Sequence, residues 1–506
     1  METKTDMETH YPNLQWREVT SKRGVSDGQF AKGLLEFEFS VGGVNAFIPK
    51  LSYFKVDYEI KAKGYNLPSD LAQPRKTSVT TYAQNACGAL FNSSAFRAGG
   101  AIVSQCEQYH PQTDILHKRT GMTGGQIYSV AKGASQMEPN FQKRCNDVSQ
   151  SSSDDCDLEV IPLAAQRSAL PTATIDNLGA VTGAFTAFTR LSAGDYLVVN
   201  GVKYEIDNIV DDFNCVVEAT DNAAVVTTGL CTYGLKRANG EGNNTLSTIY
   251  QPPLGIMSWD GDDGRGILGA GEYRFTLNPN SNYKKAFVEC KIPDAVEGED
   301  YDLNISDIRL YVAQCETRVP DGTTSLILHE TEVSSKKLDA GLSNRLDFTV
   351  PATTNMITAV VQDTRAGSRP DLSPSKFACE DKSEQNLTSL QLTYASLSKP
   401  STKWDSRYSI ASAVNQTQQR YMDTLLENQH ALTGCYTELF SDWTQTPMYT
   451  FSFNKDQNDR STQLQTQTTF SAEPQNSNLL VACHYSNQVQ ITTERGVITK
   501  ITTLQA

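Results

Sequence analysis

Close-set metal-ligand pairs are missing from this sequence. The eleven cysteines, Cys87, Cys106, Cys145, Cys156, Cys215, Cys231, Cys290, Cys315, Cys379, Cys435 and Cys483, include no CxxC pair, which excludes a zinc ribbon and a dithiol redox motif. The six histidines, His10, His110, His117, His329, His430 and His484, form no HxxxH or HExxH pair, so their spacing offers no metal site. Long apolar runs are absent too: charge or glycine interrupts each within about ten residues, too short to cross a membrane as a helix. The opening residues Met1 to Glu8 lack a basic stretch followed by an apolar core, so no secretory signal is read there, and scattered thiols then imply a reducing compartment. Cations are in deficit, with 44 Lys plus Arg against 58 Asp plus Glu and a net charge of −14. That excludes a protein that coats nucleic acid, which needs clustered Lys and Arg to displace counterions from phosphates.

What the chain does have is alternation. Leu35–Val41 and residues 54–61 alternate apolar with polar side chains, and residues 272–277, 286–292 and 308–312 do so again. A period of two is that of a strand with one buried and one wet face. With 506 residues, 39% of them hydrophobic and 20% charged, the chain is folded and long enough for roughly three domains. The same pattern in each half predicts two stacked β-domains.

Residues 1–33 are polar and weakly patterned and read as an arm that orders on assembly. The first sandwich is expected over 34–250 and the second over 251–506, with Gln251-Pro252-Pro253 as the junction, because consecutive prolines resist both helix and sheet pairing. Inside the first, residues 163–236 change texture. Asn200-Gly201 between two apolar runs signals a hairpin, and the segment is predicted to be a small β-barrel inserted in a surface loop. A helix is expected from Ser78 towards Phe91 and another near residues 410–425, with Ala413, Thr417, Tyr421 and Leu425 on one stripe. Residues 137–157 are a loop by composition. Residues 345–350, 356–361, 390–394, 450–453, 464–470, 479–483 and 489–491 complete the strands of two sandwiches.

Chemistry-bearing motifs are thin. Gly264-Arg265-Gly266-Ile267-Leu268-Gly269 spells a dinucleotide fingerprint, but a strand and not a helix follows it, and Asp260, Asp262 and Asp263 would repel phosphates. The same acidic loop lacks the bidentate Glu that closes a Ca²⁺ loop, since Gly271 stands at the twelfth position, and it reads as an exposed turn. Cys290 in an alternating run reads as a small buried hydrophobe. Trp16, Trp259, Trp404 and Trp443 are too few to argue for sugar stacking over ordinary core or loop roles. No catalytic, cofactor-binding or metal residue is therefore assigned, and no enzyme activity is expected.

The helix expected before Phe96-Arg97-Ala98-Gly99-Gly100, the Trp259 loop leading into Gly271-Glu272-Tyr273-Arg274-Phe275-Thr276-Leu277-Asn278-Pro279, and the pattern from Leu464 to Ile498 resemble the major capsid proteins of polinton-like viruses and virophages. The resemblance covers most of residues 30–506 outside the insertion. It implies an all-β double jelly roll, two consecutive sandwiches with the small insertion in the first and a few short helices. It further implies trimeric, pseudo-hexameric capsomers of an icosahedral shell around double-stranded DNA, made in the host cell and ending in the virion, with penton and minor capsid proteins as partners, no sequence-specific nucleic acid binding, and a host receptor as a candidate partner of the insertion. The second reading is a β-rich adhesin or carbohydrate-binding protein with the insertion as its head. A third is a polysaccharide-active β-sandwich enzyme.

Overall fold

The computed structural model describes residues 10–25, 28–62, 80–121, 158–159, 172–176, 178–184, 188, 196–199, 202–211, 213–217, 227–234, 244–261, 264–290, 296–297, 301–401, 420–427, 443, 446–453 and 461–504. Most of the alternating runs form sheet. Leu35–Val41 buries Leu35, Phe37, Phe39 and Val41 and turns the residues between them outward. It pairs antiparallel with Gly271–Pro279, which pairs in turn with Phe91–Ala98 and then Ala101–Cys106. The last two are joined by Gly99 and Gly100, both at positive φ, where a side chain would be strained. Facing this sheet is a second one in the order Gln15–Thr20, Tyr301–Cys315, Tyr53–Ala62, Asn244–Tyr250, with Ala46–Phe47 added to Tyr301–Cys315. The two faces meet through aromatics: Phe37 meets Phe54 edge-on at 5.1 Å and Phe275 meets Phe54 at 5.6 Å. Such contacts add about 0.5–1.5 kcal/mol each beyond burial.

The second sandwich repeats the plan. One sheet runs Gly322–Lys337, Ser477–Glu494, Thr354–Asp363, Tyr449–Ser452, with Val497–Leu504 along Ser477–Glu494. The other runs Ser343–Thr349, Gln463–Phe470, Leu387–Tyr394, Leu397–Lys399. Thr354–Asp363 is buried along nearly its whole length, so both its faces are covered.

The structure corrects several expectations. Gly271–Pro279 and Tyr301–Cys315 belong to the first sandwich, so the change-over falls after Cys315 and not at 250/251. The runs at 272–277 and 308–312 are therefore pairing partners of the early strands and not a second copy of them. The cause is jelly-roll wiring, in which late strands return beside the first ones; local alternation reports that a strand exists but not its partner. Pro252-Pro253 is a loop of the first sandwich. The arm at 1–33 is also revised, because Gln15–Thr20 pairs along Tyr301–Cys315 as an edge strand and Phe30 is buried in the first core. The helix expected from Ser78 is only Ala86–Ala89, flanked by strands Thr80–Tyr82 and Phe91–Ala98. Likewise Tyr283–Phe287 is helical and only Val288–Cys290 of the 286–292 run pairs as strand.

Over the segment expected at 163–236, Tyr196–Val199, Val202–Ile209, Asn214–Val217, Ala180–Ala184, Thr172–Ile175 and Thr227–Gly234 pair in that order, Tyr196–Val199 also pairs with Thr227–Gly234, and Leu158–Glu159, ahead of the expected start, joins Thr227–Gly234 at the edge. Val199 stands opposite Val202, the register of a two-residue hairpin, while Asn200 and Gly201 lie outside the described residues. A core of its own, including Ile175, Val181, Phe188, Leu197 and Ile206, fills this unit. The loop at 137–157 lies outside the described residues, as do Ala413 and Thr417; residues 420–427 are helical, with Tyr421 and Leu425 packed on the second core.

Candidate functional site: the seam between the sandwiches

Two elements belong to both sandwiches at once. The first is the ribbon formed by Gly322–Lys337 and Ser477–Glu494, paired from Gly322 opposite Thr493 to Lys337 opposite Asn478. At one end Leu326, Leu328, Val489 and Ile491 pack into the first core, while Val333, Leu479, Leu480 and Val481 pack into the second. Strands longer than a single sandwich needs are what let one ribbon enter two cores.

The second is the helix His110–Gly121, which the sequence reading did not anticipate. Its signals are Pro111 in the first turn and Asp114 four residues before Lys118, but only Ile115 and Leu116 supply apolar surface, so no stripe marks it. Most of its polar side chains are buried. Towards the first sandwich, the His110 ring lies 3.1 Å from the Gly88 carbonyl and 3.1 Å from the Ser94 hydroxyl. Lys118 donates to Asp114 at 2.8 Å and to Asn85 at 2.9 Å, with its ammonium 4.8 Å from the centre of the Tyr250 ring. Towards the second, Gln112 donates to Gln362 at 3.1 Å and Arg119 to the Thr446 carbonyl at 2.9 Å, its guanidinium 5.7 Å over Phe377. A charge in such surroundings persists only when paired, and removing one partner of a buried pair typically costs about 3–5 kcal/mol.

Titratable groups line the same seam. Glu330, on the ribbon, accepts from the Ser104 hydroxyl at 2.6 Å and from the Gly255 amide at 3.1 Å, so both donors come from the first sandwich. Burial pushes its carboxyl up to about 7, opposed by those two hydrogen bonds. A Cβ on Gly255 would stand 2.8 Å from the His329 carbonyl and 3.0 Å from the Glu330 carboxyl, so only glycine permits this approach. Beside it, His117 lies 3.3 Å from Thr331, and His484 is held between Thr331 at 3.1 Å and Thr358 at 3.2 Å. Burial depresses both imidazoles, His484 to about 3.

The motifs weighed in the sequence fall elsewhere. Gly264 and Gly266 take positive φ in a loop leading to a strand, and Asp260 is paired with Lys50 at 2.7 Å. Asp262 and Asp263 lie outside the described residues. One G-x-S-x-G segment, Gly24-Val25-Ser26-Asp27-Gly28, escaped the sequence reading; it leads into the short 3₁₀ turn Phe30–Lys32, not the helix a nucleophile elbow requires, and Ser26 and Asp27 are outside the described residues. Trp443 is buried in the second core and Trp259 packs against the first, whereas Trp16 is exposed and donates to the Leu51 carbonyl. Cys87, Cys106, Cys215, Cys315, Cys379 and Cys483 are free and buried, and burial raises the Cys106 thiol to about 12. Cys290 is in strand, but its side chain lies outside the description. Among the described residues no group of three His, Cys, Asp or Glu converges as a metal site would require.

No protein-family model matches this sequence, and no curated protein matches it. Solved structures do. The 3.5 Å cryo-EM structure of the Sputnik virophage contains a chain similar over 98% of this one and 89% of its own length, at 13% identity and a TM-score of 0.54. The mavirus major capsid protein is similar at 10% identity over 100% of this chain and 92% of that one, with a TM-score of 0.45. The Faustovirus major capsid protein is similar at 8% identity over 94% and 90%, with a TM-score of 0.46. Two sandwiches in tandem, each of a five-stranded and a four-stranded sheet, joined by a shared ribbon and aligned along almost the whole chain with the Sputnik structure, give this chain a double jelly-roll fold.

Proposed function

We propose that this chain is the major capsid protein of an icosahedral virus, and that its role is structural. Three copies close into a ring, six sandwiches approximate a hexagon, and hexagons tile a shell around a double-stranded DNA genome. The observation that carries this reading is the seam: one ribbon in two cores and one buried helix hydrogen-bonded to both sandwiches tie the pair together, as a tile requires. The net charge of −14 suits a container and not a DNA-coating protein. In this role the protein ends in the virion, meets penton and minor capsid proteins at shell vertices and inner edges, and carries the inserted unit, with its separate core, as an outward module able to meet a host receptor. Native mass spectrometry of the purified protein is expected to give three copies, and negative-stain images a hexagonal outline. A monomer at every concentration would overturn the reading.

A further inference from the structure

The outer face of the sheet containing Leu35–Val41, Gly271–Pro279 and Phe91–Ala98 carries two guanidiniums, only one of which is paired with carboxylates. In register, Arg274 stands opposite Glu38 on one side and opposite Arg97 on the other. Glu36 and Glu38 are already satisfied: Arg274 reaches Glu38 at 2.7 Å and Glu36 at 3.4 Å, and Lys22 reaches the same two at 2.7 and 3.7 Å. Arg97 makes only a 3.3 Å hydrogen bond to the Gly100 carbonyl and pairs with no carboxylate among the described residues. Like charges set directly across a strand pair are destabilising, so folding gains nothing from a guanidinium here. Both guanidiniums border a groove of about 330 Å³, walled also by Glu38, Ser40, Gly100 and Glu272.

We propose that Arg97, set against Arg274 in this groove, receives a carboxylate carried by a second copy of this chain. The inference rests on the shell-building reading and adds to it the surface and residue through which copies meet. A planar guanidinium takes a carboxylate through two parallel hydrogen bonds, the geometry for which Arg is preferred over Lys. Glu38 and Glu272 on the walls repel a polyanion such as nucleic acid, but they tolerate one carboxylate accompanied by a neighbouring cation, which Glu272 then receives. The chain itself is the source, because with 58 acidic residues against 44 basic ones its copies repel one another and need local cations where they touch.

The test is sedimentation of the assembled full-length protein, comparing wild type with Arg97→Glu, Arg97→Lys and Lys500→Glu, the last being the same charge reversal at an exposed position of the final strand. Arg97→Glu is expected to raise the dissociation constant between copies on the order of tenfold or more. Arg97→Lys should fall between it and wild type, and Lys500→Glu should stay near wild type. None of the variants should lower the melting temperature of the separated chain, since Arg97 has no internal carboxylate to lose and Arg97→Glu relieves the like-charge pair with Arg274. If wild type assembles and Arg97→Glu assembles as tightly as Lys500→Glu, the docking role of Arg97 is wrong while the shell-building reading stands. If wild type never assembles, the shell-building reading itself fails.

Discussion

Glu330 and His484 sit in the same seam and respond to pH in opposite senses. The carboxyl of Glu330 is raised from 4.5 to about 7 by burial, so between those values the folded state holds a proton that the unfolded chain has released. Its contribution is present below pH 4.5 and is lost as pH rises towards 7, amounting to about 3 kcal/mol at roughly 1.4 kcal/mol per unit. His484 runs the other way. Its imidazole is lowered from 6.5 to about 3, so its contribution is present above pH 6.5 and is lost as pH falls towards 3. The two slopes offset each other between about pH 4.5 and 6.5, and stability declines on either side of that window. Glu330→Gln keeps the shape and an acceptor for Ser104 while removing the titration. Urea unfolding of this variant is expected to show stability rising from pH 5 to 6.5, where wild type is nearly level, because the His484 slope is no longer offset, and to lack the wild-type decline between pH 6.5 and 7. A variant with the same pH profile as wild type would show that Glu330 is not the group that offsets His484.

The shared ribbon makes a claim about cooperativity. Leu328 packs in the first core and Val481 in the second, yet both lie on strands of one antiparallel pair. Leu328→Ala should cost about 2–5 kcal/mol through the cavity it leaves. That loss should appear in hydrogen exchange at Thr354–Asp363, a central strand of the second sandwich, as fully as at Leu35–Val41 in the first. If only the first sandwich loses protection, the two halves are separate folding units and the seam does not weld them. These elements also divide what was legible beforehand. Strands such as Leu35–Val41 and Gln463–Phe470 were readable because alternation is local. The partner of Gly271–Pro279 was not, because pairing is set by the topology of the whole sandwich. The seam helix His110–Gly121 escaped because its burial is satisfied by ion pairs and hydrogen bonds, and hydrophobic periodicity cannot register a helix whose inward face is polar.

At the scale of the whole molecule, the small β-unit and the two sandwiches are separable in physical terms. Leu158–Glu159 pairs antiparallel with Tyr233 and Gly234, so the chain enters and leaves the unit side by side, about one strand spacing of ~5 Å apart. Its core draws on residues between Ala173 and Val217 and shares none with the two sandwich cores. A short Gly-Ser connection can therefore replace residues 158–234 without stretching the parent fold, since closing a short loop across so small a gap costs little. The shortened protein is expected to melt within a few degrees of wild type and to give the same number of copies by native mass, its tile losing only the three protrusions in negative stain. If the excised protein fails to assemble while still folding, the insertion contributes to contacts between copies, and its role as a purely outward module is wrong.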